Sequence, residues 1–352
     1  MKKALSLLLC LVMLLSLTAC SQSGKPQAVT PETTIPETNV PETTVPVSHY
    51  PLTVTDQAGR EVTIVEEPQR LVSGYYISTS VLIALGLDSR LVGIEAKANK
   101  RAIYKLSAPE LMDLPNVGTA KEFDLEGCAA LEPDLVILPI KLKNAAQALE
   151  DLGIRVLLVN PENQELLEDM IRLIAAATDT EDRAQALLDF IADQEAMLTR
   201  TLSGLETPSV YLAGNSSLLS TAGEAMYQSD MIRLAGGVNA AAGITDSYWV
   251  EISYEQLLTW NPEYLILASD ADYTVEDVLA DPNLADCAAV KNGNVYQMPD
   301  KAEAWDSPVP GSILGCLWLA NVLHPQTITE ADCAARIDEY YETFYGFTYS
   351  ER

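Results

Sequence analysis

The chain contains only two histidines, His49 and His324, and that scarcity narrows the chemistry open to it. A Ser-His-Asp arrangement needs a histidine beside its nucleophile, and neither of these belongs to a nucleophile-elbow sequence. Zinc and manganese sites usually draw on several imidazoles. No catalytic residue and no metal ligand is therefore expected, and the chain does not read as an enzyme. The cysteines beyond Cys20 are Cys128, Cys287, Cys316 and Cys333. They form no CxxC pair and read as mostly buried thiols. A Cys316–Cys333 disulfide is open to them in an oxidising compartment, although sequence alone does not fix pairing.

Charge says more. The formal net charge of −28 argues against nucleic acid as a partner, because that needs a basic face. Against this background Lys97, Lys100, Arg101 and Lys105 cluster, and Lys121, Lys141 and Lys143 fall in neighbouring loops. A basic rim of this kind attracts an anion; the alternative is an ordinary solvated surface.

These residues need elements to position them. A hairpin is expected at Leu52–Thr55 and Glu61–Ile64, followed by a strand at Arg70–Ser73. Helices near Thr79–Leu85, Asn144–Leu152 and Gln164–Ala177 then alternate with strands at Leu91–Ile94, Leu135–Leu138 and Arg155–Val159. Short apolar runs alternating with helices favour a parallel sheet covered on both faces. A second lobe restarts at Ser209–Leu212 and continues through strands at Tyr264–Leu267 and Val295–Met298 to C-terminal helices.

One grammar occurs twice. Residues Asp124 to Leu138 read as a short helix, a proline stop and a buried strand, and Ser253 to Leu267 repeat this without a gap. Glu126 matches Glu255, Pro133 matches Pro262 and Asp134 matches Glu263, all 129 positions apart. Ser253 with Gln256 has the form of a capping box. Thr178 with Glu181 has the same form, and no glycine or proline follows until Gly204. Apolar residues from Ala184 to Leu198 recur at helical spacing, which predicts a helix of about 35 Å joining two similar halves. The fold class is thus α/β, two Rossmann-like lobes on one long, rigid helix. The lobes are expected at 51–178 and 205–352, with the connector at 179–204.

The N-terminus has its own organisation. Met1-Lys2-Lys3 precedes an apolar run from Ala4 to Leu17, too short to span a bilayer comfortably, so residues 1–19 read as a secretory signal. Leu17-Thr18-Ala19-Cys20 resembles the lipobox of bacterial lipoproteins, which implies lipidation of Cys20 and a membrane-anchored, extracytoplasmic protein. Residues 20–50 hold three successive Pro-Glu-Thr pentapeptides, from Pro31, Pro36 and Pro41. Such a spacer is extended and semi-rigid, reaching on the order of 80 Å.

Together these segments resemble the periplasmic-binding-protein family that serves iron-siderophore, haem and cobalamin ABC importers. Its carriers are Val54-Thr55-Asp56, Gly59 to Ile64, Pro68 to Ser73, Ala84 to Leu87 and Leu91 to Ile94. Leu234 to Asn239, Ala289 to Tyr296 and Leu323-His324-Pro325 complete the set, over about Leu52 to Phe347. The resemblance implies a monomer that holds its solute in a cleft at the strand ends and hands it to a permease dimer with its ATPase. The ligand would be an iron complex or a cobalamin-like molecule, carrying its own iron or cobalt, with no intrinsic cofactor. It also implies docking to permease arginines through Glu126 and Glu255. Family position places ligand contacts at Gly74 to Ser78, here with Tyr75, Tyr76 and Ser78. Paired tyrosines depart from the family's usual loop and can stack on a planar ligand or ligate iron as tyrosinate. Tyr248-Trp249 and Trp305-Asp306 are the second lobe's candidates, and Lys97 and Lys141 those of the basic rim. An oxyanion such as molybdate or tungstate is an alternative cargo, and a lipid-anchored sensory or adhesion module an alternative role.

Overall fold

The computed structural model describes residues 49–245 and 249–352. Cys20, the signal segment, the pentapeptide repeats and Tyr248 lie outside these residues. The hairpin forms as expected, β1 (Leu52–Thr55) against β2 (Glu61–Ile64), with Leu52 opposite Ile64. Then come β3 (Leu71–Ser73), α1 (Tyr76–Ala84), β4 (Leu91–Gly93), α2 (Ala102–Ser107), α3 (Leu125–Ala130), β5 (Leu135–Pro139), α4 (Lys143–Asp151), β6 (Arg155–Val159) and α5 (Gln164–Thr178). The four strands β4-β3-β5-β6 form one parallel sheet.

Its strands are apolar apart from Ser73 at the end of β3 and Arg155 at the start of β6, because both faces are covered. In β5, Leu135 and Ile137 point into one core and Val136 and Leu138 into another, as the two-residue period of a strand dictates.

The connector α6 (Glu181–Leu202) runs 22 residues, about 33 Å at 1.5 Å per residue. Its start differs from the sequence expectation. Thr178 is the last residue of α5 and its hydroxyl donates to the Ile174 carbonyl at 2.8 Å, so no capping box forms. Asp179 turns the chain in the left-handed region (φ 57°), and Glu181 and Asp182 place negative charge on the first turn of α6.

The second lobe holds β7 (Ser209–Ala213), β8 (Ser220–Ala222), α7 (Tyr227–Leu234), β9 (Val238–Asn239), β10 (Trp249–Glu251), α8 (Tyr254–Trp260), β11 (Tyr264–Leu267), α9 (Val275–Ala280), α10 (Ala288–Asn292), β12 (Val295–Gln297), α11 (Ser312–Leu323) and α12 (Glu330–Tyr345). Its sheet is mixed. β7, β11, β12 and β9 run parallel, while β8 and β10 add an antiparallel edge that the sequence pattern does not announce.

The repeated grammar is realised bond for bond. Asp124 caps α3 by accepting from Gly127 N at 2.9 Å, and Ser253 caps α8 by accepting from Gln256 N at 3.2 Å. Both turns end in a left-handed residue, Glu132 (φ 48°) and Asn261 (φ 46°). The acid after each proline then anchors the neighbouring strand. Asp134 accepts from the Gln69 and Arg70 amides at 2.9 and 2.8 Å, and Glu263 from the Ser209 amide at 2.9 Å.

The lobes share their largest core. Val210 and Leu212 of β7, Leu157 and Val159 of β6, and Leu187, Ile191 and Leu198 of α6 belong to one buried cluster, which α11 and α12 complete. Direct bonds add to it. Arg183 donates to the carbonyls of Ala84 at 2.5 Å and Phe344 at 3.0 Å, and Tyr345 donates to the Ser80 carbonyl at 3.2 Å. Wide opening of the lobes would tear apolar surface from this core, so motion about α6 is confined to small angles.

The four cysteines among the described residues are buried and unpaired, and no disulfide joins Cys316 to Cys333. Cys316 Sγ lies 3.9 Å from the Tyr227 hydroxyl, while Cys333 donates to the Leu317 carbonyl at 3.3 Å.

Candidate ligand cleft

The carboxyl ends of the strands are where open α/β sheets bind ligands. In the first lobe β3 ends at Ser73, and Gly74 lets the chain pass close against β5: a Cβ there would meet Leu138 Cδ2 at 2.5 Å. Tyr75 and Tyr76 follow, edge to face with ring centroids 5.4 Å apart. The Arg101 guanidinium sits 4.0 Å over the Tyr76 ring. Burial pushes both phenols above the usual tyrosine value.

Beneath this loop lies a buried polar network. Ser78 Oγ is 2.8 Å from both Ser73 Oγ and the Tyr75 carbonyl, and Thr79 Oγ1 is 2.8 Å from Ser73 Oγ and 2.7 Å from Glu95 Oε2. The Tyr104 hydroxyl donates to Glu95 Oε1 at 2.7 Å. Burial raises the Glu95 carboxyl's pKa. Ser78, expected as a ligand contact, is fully buried and shapes the loop from below.

In the second lobe the turn after β11 presents Asp270 and Asp272. Asn215 Nδ2 donates to Asp270 at 2.5 Å. Asp306 is buried; the Ser269 hydroxyl donates to it at 2.5 Å, and Gln228 donates to its carbonyl at 2.7 Å. Its role is to tie β11 to the segment before α11. Trp305 is also a core residue rather than a cleft residue: it is 1% exposed and donates from Nε1 to the Tyr341 hydroxyl at 2.9 Å.

Between these walls lies a cavity of about 550 Å³, lined among others by Tyr76, Lys97, Arg101, Asp270, Asp272 and Glu303. It unites Tyr76 and Lys97 with acids that the sequence did not single out. Lys141 does not line it; it sits exposed on the single turn after β5. Trp249 does not line it either: it packs its ring against Gly214 on the edge strand β10. At the cavity floor the Ile103 amide donates to the Ala302 carbonyl at 3.0 Å, a direct lobe-to-lobe bond.

Glu303 is the feature that sequence gave no sign of. It is 6% exposed, and burial pushes its carboxyl up to about 7. The Tyr341 hydroxyl reaches Oε2 at 3.4 Å, while Oε1 has no hydrogen-bond partner. An acid with a raised folded pKa binds more protons in the folded than in the unfolded chain, so stability falls as pH rises from about 4.5 to 7. The loss expected from this group is on the order of 3 kcal/mol. Melting temperature should therefore drop between pH 5 and pH 8, and Glu303→Gln should flatten that drop; an equal drop in the variant would refute the assignment.

A second groove, also about 550 Å³, lies between α5, α6 and α7 and is lined by Glu165, Glu168, Glu195 and Asp230 with Arg233. Its only cation already pairs with Asp230. It offers a solute one sign of charge, where the cleft offers two. Among the described residues no group of three or more His, Cys, Asp or Glu side chains is placed to hold a metal ion.

Known proteins resemble this arrangement. A family profile described as "Periplasmic binding protein" matches residues 71–302. The molybdate-binding protein MolA of Haemophilus influenzae is 26% identical over 84% of this chain and 91% of its own length. Its molybdate-bound crystal structure superposes with a TM-score of 0.75 at 25% identity, covering 84% of this chain and 98% of that one. The substrate-binding lipoprotein YvrC of Bacillus subtilis is 27% identical over 80% of this chain and 88% of its own. The vitamin B12-binding protein of Salmonella choleraesuis is 29% identical over 48% of this chain and 64% of its own.

Proposed function

We propose, for a chain that belongs to the periplasmic binding protein family, that it captures a metal chelate or a cobalamin-like solute and delivers it to its own ABC permease. The family consists of substrate-binding transport proteins, and the chain is not an enzyme; it works outside the cytoplasm. The observation that carries the ligand reading is the cleft's volume, about 550 Å³, which falls within the range for molecules of drug size. Four oxygens around one metal centre would leave most of it empty. The oxyanion reading has its own support in Lys97, Lys100 and Arg101 on one wall and in the likeness to MolA. In this proposal Cys20 carries the lipid, residues 21–48 form the tether, and Glu126 and Glu255 meet the permease.

A screen of thermal stability against ferric siderophores, haem, cyanocobalamin and molybdate tests the reading. A solute at a hundredfold excess over its Kd stabilises the folded chain by about 2.7 kcal/mol, which reads as a rise of several degrees. A large rise with one chelate or with cobalamin is expected. A rise with molybdate alone would overturn the chelate reading in favour of the oxyanion.

A further inference from the structure

The two walls of the cleft carry opposite charge. Lys97, Lys100 and Arg101 stand on the first-lobe side, and Asp270, Asp272 and Asp300 on the second. Among the described residues no ion pair joins one wall to the other. Arg101 rests on the Tyr76 ring instead, and Asp270 takes its hydrogen bond from Asn215 within its own lobe. Cations and carboxylates thus face each other across open space, and the shared core and the Ile103–Ala302 bond keep the lobes from closing that gap.

Glu303 supplies an independent observation. More than nine-tenths of it is buried, it lines the same cavity, and its Oε1 lacks a partner. Buried carboxyl oxygens are ordinarily hydrogen-bonded. The Oε1 atom is itself shielded from solvent, so this carboxyl acts on the cleft through its charge rather than by direct contact.

We propose that the cleft selects a dipolar solute, its anionic group held by Lys97, Lys100 and Arg101 and its ammonium or N–H donors by Asp270, Asp272 and Asp300, with Glu303 adding its charge from beneath. The proposal rests on the solute-capture reading and adds the class of solute. A bare oxyanion would satisfy one wall and be repelled by the other. A purely cationic solute would fail in the opposite sense. Charge selection of this kind works as much by rejecting the wrong sign as by attracting the right one.

Three ferric trihydroxamates with one neutral iron core test it. Ferrioxamine G ends in an ammonium and a carboxylate, ferrioxamine B in an ammonium without the carboxylate, and N-succinylferrioxamine B in a carboxylate alone. Calorimetric titration of the purified mature chain at pH 8 and low salt, with molybdate as a fourth probe, should rank ferrioxamine G first by at least about tenfold. Glu303→Gln, and separately Asp270→Asn with Asp272→Asn, should each cost ferrioxamine G roughly tenfold or more and leave the succinyl derivative unchanged or tighter. Circular dichroism establishes that each variant is folded, and the surface aspartates keep the test sound if Glu303→Gln is not. Equal or tighter binding of the succinyl derivative or molybdate overturns the dipolar assignment, as does an unchanged ranking in folded variants. Binding of none of the four also overturns it. The capture reading itself falls only if the thermal screen is blank as well.

Discussion

Reversing both Glu126 and Glu255 to lysine is expected to abolish transport while leaving solute affinity within about twofold of the parent. Both carboxylates are exposed, and both occupy the second position of a short helix whose cap is made the same way, by Asp124 in one lobe and Ser253 in the other. Neither helix end faces the cleft lining. Two equivalent acids on two equivalent lobes suit a two-fold permease, because a pseudo-symmetric surface meets a symmetric socket. In the proposed docking each acid meets a permease arginine, and a lysine in its place would cost several kcal/mol at each site; each single reversal should then be severe and the pair additive, the sites being far apart in sequence. Stimulation of ATP hydrolysis by the reconstituted transporter measures this without knowledge of the solute. Undiminished stimulation by the double variant would remove both residues from the interface.

Asp56→Ala should destabilise the fold by about 3–5 kcal/mol. Asp56 is 3% exposed and is the hub that fixes the hairpin to the first sheet. Its Oδ1 accepts from the amides of Ala58 and Arg60, both at 3.0 Å. Its Oδ2 accepts from the Arg60 guanidinium at 2.9 and 2.7 Å and from the Leu158 amide of β6 at 3.0 Å. Truncation leaves a partly buried guanidinium held only by Glu150 and the Val156 carbonyl, and leaves the Leu158 amide without its acceptor. Urea unfolding of the parent and the variant gives the difference directly. A loss below about 1 kcal/mol would mean that the hairpin is held by its apolar contacts instead.

The contrast between these residues shows what a sequence can and cannot display. The hairpin, β5, β6 and β11 were legible because alternation or unbroken apolar runs are written along the chain itself. So was the connector, since no breaker interrupts it. The strands β8 to β10 were not: they are two or three residues each, too short to display a period, and exist because β7 offers hydrogen bonds to β8 and β9, and β8 to β10. Capping at Thr178 failed because a hydroxyl can bond backward to its own helix as readily as forward to the next. At the cleft, Tyr76 was expected from the family resemblance and Lys97 from the basic cluster, and both line the cavity. Trp305 was misread because an aromatic residue in a loop looks the same whether it faces ligand or core. Glu95 and Glu303 carry no local signature, being ordinary acids made unusual by neighbours that lie nine to thirty-eight residues away.

The buried thiols bear on how the chain is made. Burial pushes Cys128 and Cys316 up to about 12 and Cys333 up to about 11 from an ordinary value of 9.0, so the folded chain holds roughly a hundredfold to a thousandfold less reactive thiolate at these sites. That shelter exists only after folding. A chain exported unfolded carries all four thiols bare into a space where disulfides form readily, and any bridge between them would block cores that need each sulfur separately. Biogenesis is therefore a race between collapse and oxidation, and the shared interlobe core, which swallows Cys316 and Cys333 together, is what must form in time.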